Sequence, residues 1–311
     1  MSKENTRKRR NSKNNFKKVQ LKKILFISFY FLSAVAFANE DLLSTEDNRP
    51  LWRYGVGAGY VQFEQYPASS QYTNLFLPVP MFQYLGRVIR ADDRDGTRAF
   101  IFKNKAASLE FTGGGYAACD SSRNDARRGM NDLPWVVHIG PQIVNYFTDS
   151  LSLRTAFYQA ISTDFQLTKF TGGVLESTLV YEWFSEVKAF SGFESGYLTS
   201  RLSLTVKGGS KDFLSIYYEV PPSFATADRP AFDAKPGFLS SDITFIQKFQ
   251  TGKTAFYYGL DILDYSLSAN RQSPLHKSND SFNFFMGITY VLGESKARSV
   301  PEDEVKGLIH N

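Results

Sequence analysis

The chain has 311 residues and is rich in aromatics, with 28 Phe and 17 Tyr, yet only 42% of it is hydrophobic. None of its apolar runs reaches the ~18 residues that a membrane-spanning helix needs, and its one cysteine, Cys119, excludes an intramolecular disulfide or a cysteine-cluster metal site. The formal charge of +5 comes from residues 1–23, which hold ten Lys/Arg against Glu4; from Asn39 onward 26 basic residues face 30 acidic ones, so no nucleic-acid footprint remains.

In chain order, the basic stretch ending in Lys22-Lys23 leads into a short uncharged apolar core, Ile24–Val35, and then Ala36-Phe37-Ala38. Basic segment, apolar core and A-x-A define a secretory leader, residues 1–38, with cleavage predicted before Asn39. Residues 39–51 read as a periplasmic segment, 52–292 as a barrel and 293–311 as a polar tail.

From Trp52 to Leu292 the chain repeats segments of about ten residues with period-two patterning. Phe282, Phe284, Met286, Ile288 and Tyr290 share one face; Leu202, Leu204 and Val206 alternate with Arg201, Ser203, Thr205 and Lys207. The predicted strands are 52–63, 75–85, 87–102 (bent or broken near Asp92–Gly96), 106–116, 134–146, 151–161, 174–185, 199–207, 212–219, 238–249, 254–264 and 281–291. The expected fold is therefore an all-β, transmembrane, antiparallel up-and-down barrel of about 12 strands (10–14), with 187–197 as a further candidate. An even count puts both ends on the periplasmic side. Tight turns at 103–105, 148–150, 207–211 and 250–253 fit that side; longer segments at 64–74, 117–133, 220–236 and 264–280 fit the other. A soluble β-sandwich also alternates, but its strands are usually about five or six residues long.

A twelve-stranded barrel has a narrow lumen. By parity, its candidate lumen charges are Glu110, Arg154, Glu176, Glu182, Arg201, Lys207 and Lys248. Asp92–Gly96 reads as a solvated turn, because it lacks the downstream Glu of a calcium loop. Gly113–Gly115 lacks the Lys-Ser/Thr and helix of a phosphate loop, and reads as a bend or close strand contact. Catalysis would need a base among His138, His276 and His310; His138 reads as a lumen or packing residue, His276 as a loop residue. Neither G-x-S-x-G nor H-E-x-x-H occurs, and no metal-ligand spacing is present. No cofactor is expected.

Several stretches resemble the MipA/OmpV family of outer-membrane proteins. Trp52–Gly59 resembles its opening strand. Pro78, Pro80, Tyr84 and Gly86 fit its P-x-P-x-x-x-Y-x-G strand. Arg127, Gly129, Met130, Asp132 and Leu133 fit its A-R-x-G-M-x-D-L loop, the most specific match. Gly140-Pro141 and Ser273-Pro274-Leu275 follow in order. The resemblance implies an outer-membrane barrel in contact with bilayer and lipopolysaccharide. It also implies a non-enzymatic scaffold between a murein lytic transglycosylase and a murein polymerase in peptidoglycan assembly. A narrow porin-like channel is the alternative, and an outer-membrane hydrolase the third reading. Arg127-Arg128 are candidates for lipopolysaccharide phosphates or for pairing with Asp125 or Asp132.

Overall fold

The computed structural model describes residues 49–164, 167–188, 195–300, 305, 307 and 308. The expected leader and residues 39–48 lie outside them. Twelve strands follow one another: β1 (Trp52–Glu64), β2 (Tyr72–Leu85), β3 (Ile89–Asp92), β4 (Gly96–Lys103), β5 (Ala107–Tyr116), β6 (Trp135–Tyr146), β7 (Leu151–Thr163), β8 (Thr168–Val187), β9 (Gly196–Gly209), β10 (Gly237–Thr251), β11 (Thr254–Asp264) and β12 (Asp280–Glu294). Each pairs antiparallel with its sequence neighbours, and β12 returns to β1 to close the barrel. Closure satisfies most strand edges internally, as a sheet in hydrocarbon requires; β2 and β5 are the strands whose edges are paired over only part of their length. Among the described residues no helix is long and apolar enough to cross a membrane.

Period-two patterning sets the two faces of the wall. In β6, Trp135, Val137 and Ile139 are exposed on the outer face, while Val136 and His138 turn inward and are buried. In β12, Met286, Ile288, Tyr290 and Leu292 are exposed outward. An outward row of large apolar residues suits acyl chains and would be a liability in water.

Two predicted strands are corrected, and the corrections cancel in the count. The single strand 87–102 is a hairpin, β3 and β4, broken at Asp93–Asp95. The predicted strand 212–219 is instead a helix, α1 (Lys211–Tyr218). Its buried residues Phe213, Leu214, Tyr217 and Tyr218 form a 3.6-period stripe. The Ser210 side chain caps its start by accepting from the Phe213 N–H. Accordingly 207–211 is not a tight turn; Gly208-Gly209 end β9 and α1 follows.

The short turns 104–106, 147–150 and 252–253 share one rim, the near rim, with both ends of the barrel; the connections 65–71, 117–134, 210–236 and 265–279 lie on the opposite, far rim. At the near rim the segments flanking the barrel pair with each other. Leu51 N–H donates to Ala297 (2.8 Å), and Ser299 N–H to Arg49 (2.8 Å). The described residues of the tail pack back onto the hairpin: Arg90 Nη2 donates to the Val300 carbonyl (2.6 Å), and Leu308 N–H to the Phe100 carbonyl (3.1 Å).

Candidate functional site

The β3–β4 tip turns into the barrel and meets charges from the opposite wall. Asp95 lies 2.7 Å from both Arg154 on β7 and Arg201 on β9, and 3.5 Å from Arg98. Arg98 also pairs with Asp92 at 3.1 Å. Glu182 on β8 holds Arg201 and Arg94, each at 2.7 Å. Asp93 contacts Lys248 on β10 at 2.6 Å and accepts from Gln83 on β2 and Tyr257 on β11, each at 2.8 Å. The tip thus reaches β2, β7, β8, β9, β10 and β11, and spans the lumen towards its near end. Asp92–Gly96 is therefore not a solvated turn: Arg98 and the Asp92 and Asp95 side chains are almost wholly shielded. Opposite charges packed this closely offset the desolvation that would forbid each alone.

Of the remaining candidate lumen charges, Glu110 lies beside this layer, whereas Glu176 and Lys207 lie six residues further along β8 and β9 towards the far rim. Glu110 on β5 is buried and accepts from the Ser108 hydroxyl at 2.6 Å. Lys207 on β9 sits 2.7 Å from Asp242 and 3.9 Å from Glu176. Asp93, Asp95, Arg98 and Asp242 carry many of these charge contacts and are absent from the lumen charges expected from the sequence, Asp93 and Asp95 being read there as part of a solvated turn. Three of them lie in the broken strand, where parity does not run; Asp242 lies just past a register shift between Phe238 and Ser240.

The far half is filled differently, by α1 and the long connections. Phe213, Leu214, Tyr217 and Tyr218 are buried in one apolar cluster with Tyr66, Leu133, Val136, Tyr158, Leu239, Tyr265 and Leu275. Two of the motif stretches converge on the C-terminal end of α1, where helical carbonyls lack partners. Arg127 Nη1 donates to the Tyr217 carbonyl (3.5 Å), and the Ser273 hydroxyl donates to the Tyr218 carbonyl (2.6 Å). Arg127 also donates to Ser121 Oγ (3.2 Å) and the Asn131 carbonyl (3.3 Å), and lies over the Tyr66 ring. Burial lowers its guanidinium pKa from the ordinary value. Asp132 accepts from the Ser121 N–H (2.7 Å), Gly129 takes a φ of 84° that favours glycine, and Leu133 bridges buried Cys119. Leu275 is buried, and its carbonyl accepts from the Tyr66 hydroxyl at 2.8 Å; Met130 packs against the same cluster. Arg128 instead forms an exposed pair with Asp125 at 2.7 Å.

The other motif residues belong to the wall. Pro78 and Pro80 lie on the exposed stretch of β2. The Tyr84 ring covers Gly86, where a side chain would collide with it. Gly140 lets β6 approach the Phe157 carbonyl, and Pro141 follows it opposite Phe111. His138 stacks on Tyr158 (4.7 Å) and edges Tyr116 (6.0 Å). His276 bonds Asn279 at 3.0 Å beneath Tyr218 and Tyr265. His310 lies outside the described residues. Among the described residues no group of three or more His, Cys, Asp or Glu could hold a metal ion.

Among solved structures, the chain is similar to the NanC porin at 10% identity, covering 76% of this chain and 98% of that one, with a TM-score of 0.33. It is also similar to LpxR from Salmonella typhimurium at 9% identity, covering 76% and 99%, with a TM-score of 0.35. No curated protein sequence matches it. Residues 55–292, the whole barrel but for its first and last few residues, match the family described as MltA-interacting protein MipA. The chain is an outer-membrane β-barrel and belongs to the MipA family.

Proposed function

We propose that this barrel is a non-enzymatic scaffold of the outer membrane that holds a murein-handling partner at its near rim, which faces the periplasm. One observation carries the choice of scaffold over channel: the lumen is filled at two levels, by the charged β3–β4 tip towards the near end and by α1 with its covering loops at the far end. A conduit would not build two barriers in series from interlocked side chains. The family's description, an MltA-interacting protein, supports a murein-handling enzyme as the partner; a lytic transglycosylase, with a murein polymerase as a second, is what the MipA/OmpV resemblance implies. The near rim supplies a surface of the right kind. It has short turns, Phe147 at 58% exposure, and the paired segments around Arg49–Leu51 and Ala297–Ser299. Exposed aromatics are common anchors of protein interfaces.

The test is a crosslinking pull-down from native envelopes with a tag after Asn311. The expected result is recovery of a lytic transglycosylase or murein synthase over an unrelated barrel, weakened by Phe147→Asp. Recovery of barrel-assembly factors and lipopolysaccharide alone would overturn the scaffold reading.

A further inference from the structure

The barrel wall is not sealed along its whole height. β2 pairs with β1 from Tyr72 to Tyr84, but its pairing with β3 is confined to Tyr84–Ala91 and Leu85–Arg90. On the other flank, β5 pairs with β4 only from Ser108 to Phe111. Above the short β3–β4 hairpin, which Thr112 still reaches through a hydrogen bond to the Thr97 carbonyl (3.1 Å), Tyr72–Gln83 of β2 and Gly113–Tyr116 of β5 therefore face each other with no strand between them. The gap is bridged over its top, where Asn124 donates to Gln65 (2.7 Å) and Asp125 N–H to Gln71 (2.6 Å). What remains is a window in the far half of the wall. It is framed by two strand edges, a loop contact above and the hairpin below.

The edge residues suit an opening. Asn74–Pro80 are exposed without interruption, on both faces of the strand; six steps of about 3.4 Å make this run roughly 20 Å long. Pro78 and Pro80 lack N–H groups, yet the β1–β2 ladder runs through them unbroken. They therefore occupy positions whose backbone faces away from β1, into the gap. Proline there removes two donors from an unpaired edge and prevents another strand from zipping onto it. Across the gap, Gly113, Gly114 and Gly115 are also exposed and offer no side chain to block it.

The inner face of β2 along the gap is apolar. The inward row of β2 is Leu75, Leu77 and Val79, 38%, 45% and 37% exposed. Their partners on β1 are Val61, Gly59 and Gly57, which add no polar group. The outward residues Phe76 (74%), Phe82 (63%) and Phe111 (42%) mark the surrounding surface as lipid-facing. Hydrocarbon outside is thus continuous with an apolar crevice inside.

We propose that this window admits an acyl chain of a lipid from the surrounding leaflet into the crevice beside Leu75, Leu77 and Val79. An amphiphile suits the edge better than a pure hydrocarbon would. Unpaired backbone carbonyls facing hydrocarbon are costly, and the polar linkage region of a lipid, with its accompanying water, can satisfy them while the chain lies inside. The proposal goes beyond the scaffold reading and rests only on the barrel being embedded in a bilayer.

The test places a benzophenone side chain by single substitution in the full-length protein, reconstituted in phosphatidylcholine vesicles, and reads lipid adducts by mass spectrometry after illumination. Position 76 faces outward beside the window, positions 77 and 79 face inward behind it, and position 203 faces inward behind a sealed wall. Folding of each variant is checked by heat-modifiable migration, and 77 and 79 substitute for each other if one fails to fold. Lipid adducts at 77 or 79 several-fold above position 203, close to those at 76, are expected; Val79→Asp should reduce them at 77. Adducts at 77 and 79 no greater than at 203, with 76 labelled, would overturn the window. A crosslink from 77 to a second protein copy would overturn it in favour of a strand partner. No adduct at any position, 76 included, would overturn the membrane setting itself and the window with it.

Discussion

Asp95 is the residue on which the charged layer turns. Its carboxylate is within 3.5 Å of Arg98, Arg154 and Arg201, groups supplied by three different strands. Removing the anion leaves guanidinium groups shielded and only partly paired, which destabilises by about 3–5 kcal/mol in comparable buried pairs. Asp95→Ala should therefore lower the urea midpoint of the detergent-solubilised barrel by an amount of that order. Asp125→Ala removes an exposed pair with Arg128, 70% and 76% exposed, and should change stability by only about 0–1 kcal/mol. Equal effects of the two substitutions would show that the layer does not bind the hairpin to the wall. Arg154, Glu182 and Arg201 could be picked from the sequence because charges at alternate positions of an amphipathic strand turn to its wet face. Asp95 could not. A run of Asp, Arg and Gly has the composition of a surface turn, and only the opposing wall makes it an interior one.

At the scale of elements, the helix α1 and the 265–279 loop show where pattern alone was ambiguous. Residues 212–219 carry large apolar or aromatic side chains on both alternating rows (Leu214, Ile216 and Tyr218; Phe213 and Tyr217), so a period of two and a period of 3.6 fit nearly equally. What decides is local. Ser210 caps the helix and also accepts from the Gly173 N–H at 3.0 Å; Gly172 beside it adopts φ of 96°, where any side chain would strike the Ser210 hydroxyl. The 265–279 loop closes over the helix, with His276 between Tyr218 and Tyr265. Burial, which outweighs the Asn279 hydrogen bond, holds the imidazole pKa below its ordinary value. The folded state therefore binds fewer protons than the unfolded state, where the imidazole titrates near pH 6.5. The loop's packing is fully stable above that pH and loses stability as pH falls from there through the lower folded pKa. Lowering the pH to about 5.5 should increase hydrogen exchange of the loop amides in the wild type more than in His276→Gln. An equal response in both would remove His276 as the source.

Across the whole molecule, closure, the two rims and the lipid-facing rows all follow from period two and from the alternation of short and long connections, so the barrel wall was legible apart from the β3–β4 hairpin and the stretch that forms α1. The filling of its lumen was not, because a plug is made by contacts between residues far apart in sequence that keep no period. Twelve strands lie between the eight of a side-chain-filled barrel and the sixteen of an open pore, so the wall alone does not determine whether the molecule conducts. The plugs do, and they act in series. Shortening the Asp93–Asp95 tip to a Gly-Gly turn unties the hairpin from Arg154, Arg201 and Lys248 on the wall but leaves α1, with Phe213 and Tyr217, over the far mouth. Replacing 211–218 by a Gly-Ser linker removes the cap but leaves Asp95 against Arg154 and Arg201. In planar bilayers the wild type and either single variant should stay near baseline, whereas the double variant should conduct well above the sum of the two. Multiplicative gain is the signature of two barriers on one path; a steady wild-type conductance that neither change alters would mean ions take a route these plugs do not block, and the channel reading would displace the scaffold.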